Sequence, residues 1–166
     1  LRCGDLVVTK DNDLQPIRWI SSSTVDGTGR FAPVLIAPSS GFGGTAPLLV
    51  SPQHRLLFTG FRAELFLGQP EVLIAAKHLV NGNDVRFSPR ETVTYFHMMF
   101  DRHELIYAQG MTAESFHASD LSVSAISDQS RADLFAAFPE LRSGWGAQGP
   151  TARKCARGHE ARLIAA

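Results

Sequence analysis

Short apolar runs, broken every few residues by Gly, Pro, Asn and Asp, fill the first two-thirds of this chain and constrain its fold more than any other feature. Such runs are too short for helices and carry turn residues at both ends, which is the pattern of an all-β protein. Asp5–Thr9 and Pro16–Ile20 read as two strands around the turn Asp11-Asn12-Asp13, and Val34–Ile36 as a third. The polar, glycine-rich stretches Ser21–Arg30 and Ser39–Thr45 read as loops. Leu48–Val50, Arg55–Thr59 and Glu64–Leu67 read as further strands, the last equally as a helical turn. Ala75–Val80 reads as one turn of helix, because Ala-Ala-Lys-His-Leu is a poor strand sequence, and Asn81-Gly82-Asn83-Asp84 then turns the chain. Glu91–Phe100 and His103–Ala108 flank Asp101-Arg102 and read as a hairpin or a strand bent at a bulge. That arrangement would gather Tyr95, His97, Asp101 and His103.

After Gly110 the character changes. Arg131–Phe138 carries Leu134, Phe135 and Phe138 at helical spacing before Pro139, and Thr151–Ala166 is rich in Ala and Arg with a weak helical period. Ser143–Pro150 between them reads as a glycine-rich linker. The expected organisation is a β domain over residues 1–118 and a helical C-terminal extension over residues 119–166. A length of 166 residues suits one compact domain with an appendage.

Sixteen basic and sixteen acidic side chains cancel, so no electrostatic grip on nucleic acid or on a membrane surface is expected. No apolar stretch approaches the roughly 20 residues of a membrane span. Cys3 and Cys155 stand at opposite ends without CxxC spacing and are expected to be free. There is no initiator Met and no signal-peptide pattern, and the opening Leu1-Arg2-Cys3-Gly4-Asp5-Leu6-Val7-Val8 reads as a cut point inside a longer protein.

The strongest hint of chemistry is Ser51-Pro52-Gln53-His54, a hydroxyl three residues before a histidine at the entrance to the apolar strand Arg55–Thr59. The hydroxyl could fix the imidazole while the ring offers a proton to a nearby group. The same residues are also ordinary turn chemistry, with His54 satisfying a carbonyl at a sheet edge. His97, Asp101 and His103, with His54 as a fourth donor, have the atoms to grip zinc, although a strand pair need not aim them at one spot. His97 shares a strand face with Tyr95 and could simply pack there. His78 reads as a surface or capping residue, His117 and His159 as solvent-facing, and Trp19, Phe58, Phe66, Phe96 and Phe100 as core. Arg153, Lys154, Arg157 and Arg162 read as the wet side of a helix.

Taken in order, Gly4-Asp5-Leu6-Val7-Val8-Thr9, Ser51-Pro52-Gln53-His54, Val93-Thr94-Tyr95-Phe96-His97, Asp101-Arg102-His103-Glu104-Leu105, Ala108-Gln109-Gly110 and Glu114-Ser115-Phe116 resemble the bacterial Hint domains. These are relatives of inteins and of the hedgehog autoprocessing domain, often attached to secreted repeat-containing proteins. The resemblance runs from Leu1 to about Phe116 and implies a largely β horseshoe whose substrate is its own polypeptide, with no cofactor.

In that family a Cys or Ser at the head of the domain attacks the preceding peptide carbonyl, turning an amide into a thioester or ester. Ser51 stands where the family usually has Thr. The resemblance implies that His54 protonates the departing nitrogen, while Asp101 helps deprotonate the nucleophile and His103 steadies the oxyanion. Cys3 matches a filler position beside Gly4-Asp5, so the reactive residue is expected ahead of Leu1 and this chain is expected to be inactive alone. True inteins end in a His-Asn pair, whereas no Asn follows Gly110 here. Cleavage without full splicing is the reading that results, against a non-catalytic interaction or tethering module that keeps the fold, or a zinc-binding β domain.

Overall fold

Eleven short strands and three helices account for the regular structure of this computed structural model, which describes residues 1–118, 126–144 and 148–165. The protein is mostly β, as its turn-punctuated sequence requires. It divides into two compact units, each assembled from three separated stretches: Leu1–Thr24, Thr94–Ile106 and Ser115–Ala152 in the first, Val25–Val93, Tyr107–Glu114 and Arg153–Ala166 in the second.

In the first unit, β1 (Leu6–Val8) and β2 (Leu14–Pro16) form an antiparallel hairpin with Val8 opposite Leu14. Thr9 closes its turn: the Thr9 N–H donates to the Asp13 carbonyl at 2.7 Å, and its Oγ1 accepts the Asn12 N–H at 3.1 Å. Asp13 takes a left-handed φ of 52°, which a short polar side chain tolerates. β3 (Trp19–Asp26) pairs with β9 (Thr92–Met99), and the Thr24 and Thr94 hydroxyls meet across them at 2.8 Å. Helix α2 (Asp128–Ala137) starts at Ser127, whose Oγ accepts the Ser130 N–H at 3.1 Å. Its Leu134, with Phe138 and Leu141 beyond it, packs on Trp19, Met99, Ala118 and Ile126. Ile17, Phe100 and Ile106 form a second cluster.

The second unit contains a three-stranded sheet in the order β5 (Leu48–Val50), β4 (Val34–Ile36), β8 (Val85–Phe87). Its other sheet runs β11 (Met111–Glu114), β6 (Arg55–Thr59), β7 (Glu71–Ala75), and the Tyr107–Ala108 end of β10 (Leu105–Ala108) lies beside β11. Helix α1 (Phe61–Leu67) follows β6, and α3 (Gly158–Ala165) packs on it. Ala161 and Ile164 of α3 enter a core with Val34, Ile36, Leu56, Val72, Ile74 and Met111. Each of the larger aliphatic side chains contributes about 1.5–3 kcal/mol by leaving water.

Several sequence expectations are corrected. Residues 21–26, expected as loop, continue strand β3, because cross-strand hydroxyl pairing and backbone bonds to β9 replace an apolar pattern. Glu91–Phe100 and His103–Ala108 do not pair as a hairpin: β9 takes β3 as its partner and β10 takes β11. Two readings hold instead: Glu64–Leu67 takes its helical alternative inside α1, and the helical turn expected over Ala75–Val80 is a 3-10 turn at Ala76–His78 directly after β7. Residues 153–157 precede α3 outside any helix, with Cys155 in an isolated parallel bridge to Leu73. There Leu73 donates its N–H to the Lys154 carbonyl at 2.9 Å and Arg153 pairs with Glu71 at 2.7 Å, so Arg153 is not on a wet helix face. Phe66 and Phe96, expected in the core, are 52% and 69% exposed, whereas Trp19 and Phe100 are buried. The expected linker Ser143–Pro150 and the head of the expected extension fall partly on residues 119–125 and 145–147, outside the described residues.

Candidate functional site

Ser51-Pro52-Gln53-His54 is a reverse turn that delivers His54 to the mouth of β6. The His54 N–H donates to the Ser51 carbonyl at 3.1 Å across the turn, with Pro52 at the second position where its fixed φ is favoured. The Pro52 carbonyl accepts from Lys77 N–H at 3.0 Å, and the His54 carbonyl accepts from Ala76 N–H at 2.9 Å. Ser51 and His54 are both half-buried. The next peptide N–H, that of Arg55, donates to Glu114 Oε1 at 2.9 Å, and the Arg55 guanidinium reaches Glu114 Oε2 at 3.0 Å. Burial opposes the Arg55 charge, but the Glu114 carboxylate and Cys155 outweigh it and leave the guanidinium pKa raised. Sequence reasoning missed the Arg55–Glu114 pair; an acidic residue ending an apolar strand was the available signal.

Ser51 and His54 belong to the second unit, and Asp101 and His103 to the first. Asp101 follows β9 with its side chain 60% exposed and ion-paired to Arg18. His103 is 4% exposed, and both ring nitrogens have backbone partners. Its Nδ1 accepts the Ala152 N–H at 2.9 Å and its Nε2 lies 3.2 Å from the Ser115 carbonyl, which places the ring proton on Nε2. The His117 ring sits edge-on to His103 with centroids 5.0 Å apart, and its Nε2 lies 3.2 Å from the Gly149 carbonyl. His117 is thus half-buried rather than solvent-facing as expected, and His159 is exposed. Gln148 completes the attachment: its Oε1 accepts the Ala118 N–H at 2.9 Å and its Nε2 donates to the Phe116 carbonyl at 3.3 Å.

Around Asp101 the first unit also has an open cavity of about 280 Å³ lined by Asn12, Gln15, Asp101, Arg102 and Glu104. Buried Glu104 accepts from Asn12 Nδ2 at 3.0 and 2.9 Å and donates its N–H to Ser115 Oγ at 2.9 Å. The residues weighed for zinc are committed elsewhere. The His97 ring packs on Phe116 at 5.3 Å, Asp101 on Arg18, and His103 on backbone groups. Among the described residues no three His, Cys, Asp or Glu side chains gather to hold a metal. Neither Cys3, which is exposed, nor Cys155, which is half-buried with its Sγ 3.9 Å from the Arg153 carbonyl, is in a disulfide. Burial pushes the Tyr95 phenol up to about 12.

Residues 1–120 match the Hint domain family. No curated protein and no solved structure matches the chain. A β-rich chain whose Ser51–His54 turn sets an imidazole at a strand mouth, and which matches that family over most of its length, belongs to the Hint domain family.

Proposed function

We propose that this Hint domain, when joined to a nucleophilic residue ahead of Leu1, cleaves its own chain at that junction before strand β1, through an acyl shift and without full splicing, and that the 166 residues alone are inactive. The family match over residues 1–120 carries the reading, because the family includes self-processing domains. A Cys or Ser at that junction is the nucleophile. Its sulfur or oxygen bonds to the preceding carbonyl carbon, and the C–N bond breaks as the nitrogen takes a proton from the His54 imidazolium. Water or a second nucleophile then displaces the thiol or hydroxyl and releases the upstream segment.

His54 suits the acid role because its backbone is held by the turn and by Ala76, which leaves less chain freedom to lose on reaching the transition state. Asp101 is assigned to take the nucleophile's proton. His103 is assigned a supporting part, since its two nitrogens already hold Ser115 and Ala152. Cys3 is not the assigned nucleophile: it lies inside the turn in which Asp5 N–H donates to the Arg2 carbonyl at 3.1 Å.

A fusion with a reporter and a Cys at the junction tests this. Dithiothreitol or hydroxylamine should release the reporter, and His54→Ala should slow release about a hundredfold to ten-thousandfold. A fusion that stays intact under every condition, or one whose release ignores His54→Ala, would overturn it.

A further inference from the structure

Resting on the cleavage reading above, we propose that Glu114 is a positioning residue for His54, with Arg55 as its counter-charge. Both polar atoms of the His54–Arg55 peptide are taken. The carbonyl accepts from Ala76 N–H at 2.9 Å, and the N–H donates to Glu114 Oε1 at 2.9 Å. The preceding N–H is tied to Ser51 at 3.1 Å. The two backbone dihedrals of His54 are therefore fixed from both sides, and with them the direction in which its side chain leaves the main chain.

The sheet explains why a side chain does this. β11 is in register with β6 at Ala113 opposite Leu56, and the ladder gives out at the next rung. There the Glu114 carboxylate replaces a backbone carbonyl as the acceptor for Arg55. Glu114 is only 7% exposed, so its charge needs a partner, and Arg55 Nη1 at 3.3 and 3.0 Å from the two oxygens supplies one. With Glu114 buried but the Arg55 side chain 36% exposed, the pair adds little net stability over an apolar pair of similar size, so the fold alone does not call for it. Sharing Oε1 between the guanidinium and the backbone N–H is what a positioning role requires.

Glu114→Ala and Glu114→Gln separate the N–H acceptor from the charge. In the junction-bearing fusion, Glu114→Ala should slow reporter release about a hundredfold, the scale of a small misplacement of a reacting group. Glu114→Gln, which keeps an oxygen for the Arg55 N–H, should restore most of the rate. In the 166-residue chain, NMR couplings should show one His54 χ1 rotamer in the parent and averaging in Glu114→Ala. Parental release by a folded Glu114→Ala, or one unaveraged rotamer in both chains, would overturn the proposal. If Glu114→Ala fails to fold, the Arg55→Gln/Glu114→Gln pair carries the same test: retained release supports it and a hundredfold loss overturns it. If the parent fusion does not cleave, the cleavage reading fails by itself and the rotamer measurement decides the positioning claim.

Discussion

Replacing His103 by Ala should destabilise the protein by about 3–5 kcal/mol, a large share of the roughly 5–15 kcal/mol typical of a folded domain. Two backbone groups lose their partners, the Ala152 N–H that Nδ1 accepts and the Ser115 carbonyl that Nε2 faces. Leaving a buried polar group unpaired costs about 1–3 kcal/mol each, with half-buried Ala152 toward the lower end. The edge-on His117 contact adds about 0.5–1.5 kcal/mol. For a chain of this length each kcal/mol lowers the melting temperature by about 2–4 °C. Urea titration and thermal melts give the size of the loss, and hydrogen exchange gives its place, because the Ala152 amide should lose protection. His103→Gln offers one acceptor and one donor and should recover about 1–2 kcal/mol. A His103→Ala chain within about 1 kcal/mol of the parent, with Ala152 still protected, would refute the claim that the ring works by holding these two backbone groups.

Three further outcomes follow from geometry. Tyr95 ionises in the unfolded chain near its ordinary value of 10.0 but in the fold only at about 12. Its contribution is therefore fully present below pH 10 and lost as pH rises toward 12, and pH-dependent urea melts of Tyr95→Phe should show a flatter alkaline limb. Gly27→Ala should cost about 1–3 kcal/mol in a thermal melt, because a Cβ there would lie 2.7 Å from the Arg90 carbonyl oxygen, while Gly29→Ala meets nothing within 4 Å and is strained only by its φ of 53°. Asp101→Asn breaks an exposed ion pair with Arg18 and should change stability by less than about 1 kcal/mol in urea, yet slow reporter release if Asp101 takes the nucleophile's proton.

The strands that announced themselves were those whose own residues carry the signal. Leu48–Val50 and Arg55–Thr59 fall where their apolar runs put them, because Leu48, Val50, Leu56 and Phe58 pack into one core. Residues 21–26 gave no such signal: a Ser and Thr run is a strand here only because β9 lies alongside, and a partner some seventy positions away in Thr94 leaves no local trace. The same non-locality hid β3 as the partner of β9, whereas β10 pairs with the very next strand, β11, two residues on, and adjacency at Asp101-Arg102 made the wrong hairpin the natural expectation. At the candidate site the Ser51–His54 turn was legible from Pro52 and its flanking polar residues. The pairing of Arg55 with Glu114 was not, because the two stand on separate strands 59 positions apart. His103 could be picked out as unusual from its block, but its burial depends on residues 115–117 and 148–152, which no local pattern links to it.

The interleaving of chain segments has a consequence for synthesis. Each unit draws its last piece from far along the polypeptide, Ser115–Ala152 for one and Arg153–Ala166 for the other. While a ribosome is still making the final stretch, Ile36, Leu56 and Val72 lack the Ile164 that covers them, and Trp19 and Met99 wait for Leu134. Chains stopped short of Leu134 or Ile164 should therefore leave these apolar faces uncovered, and limited proteolysis should cut such shortened chains where the 166-residue protein resists.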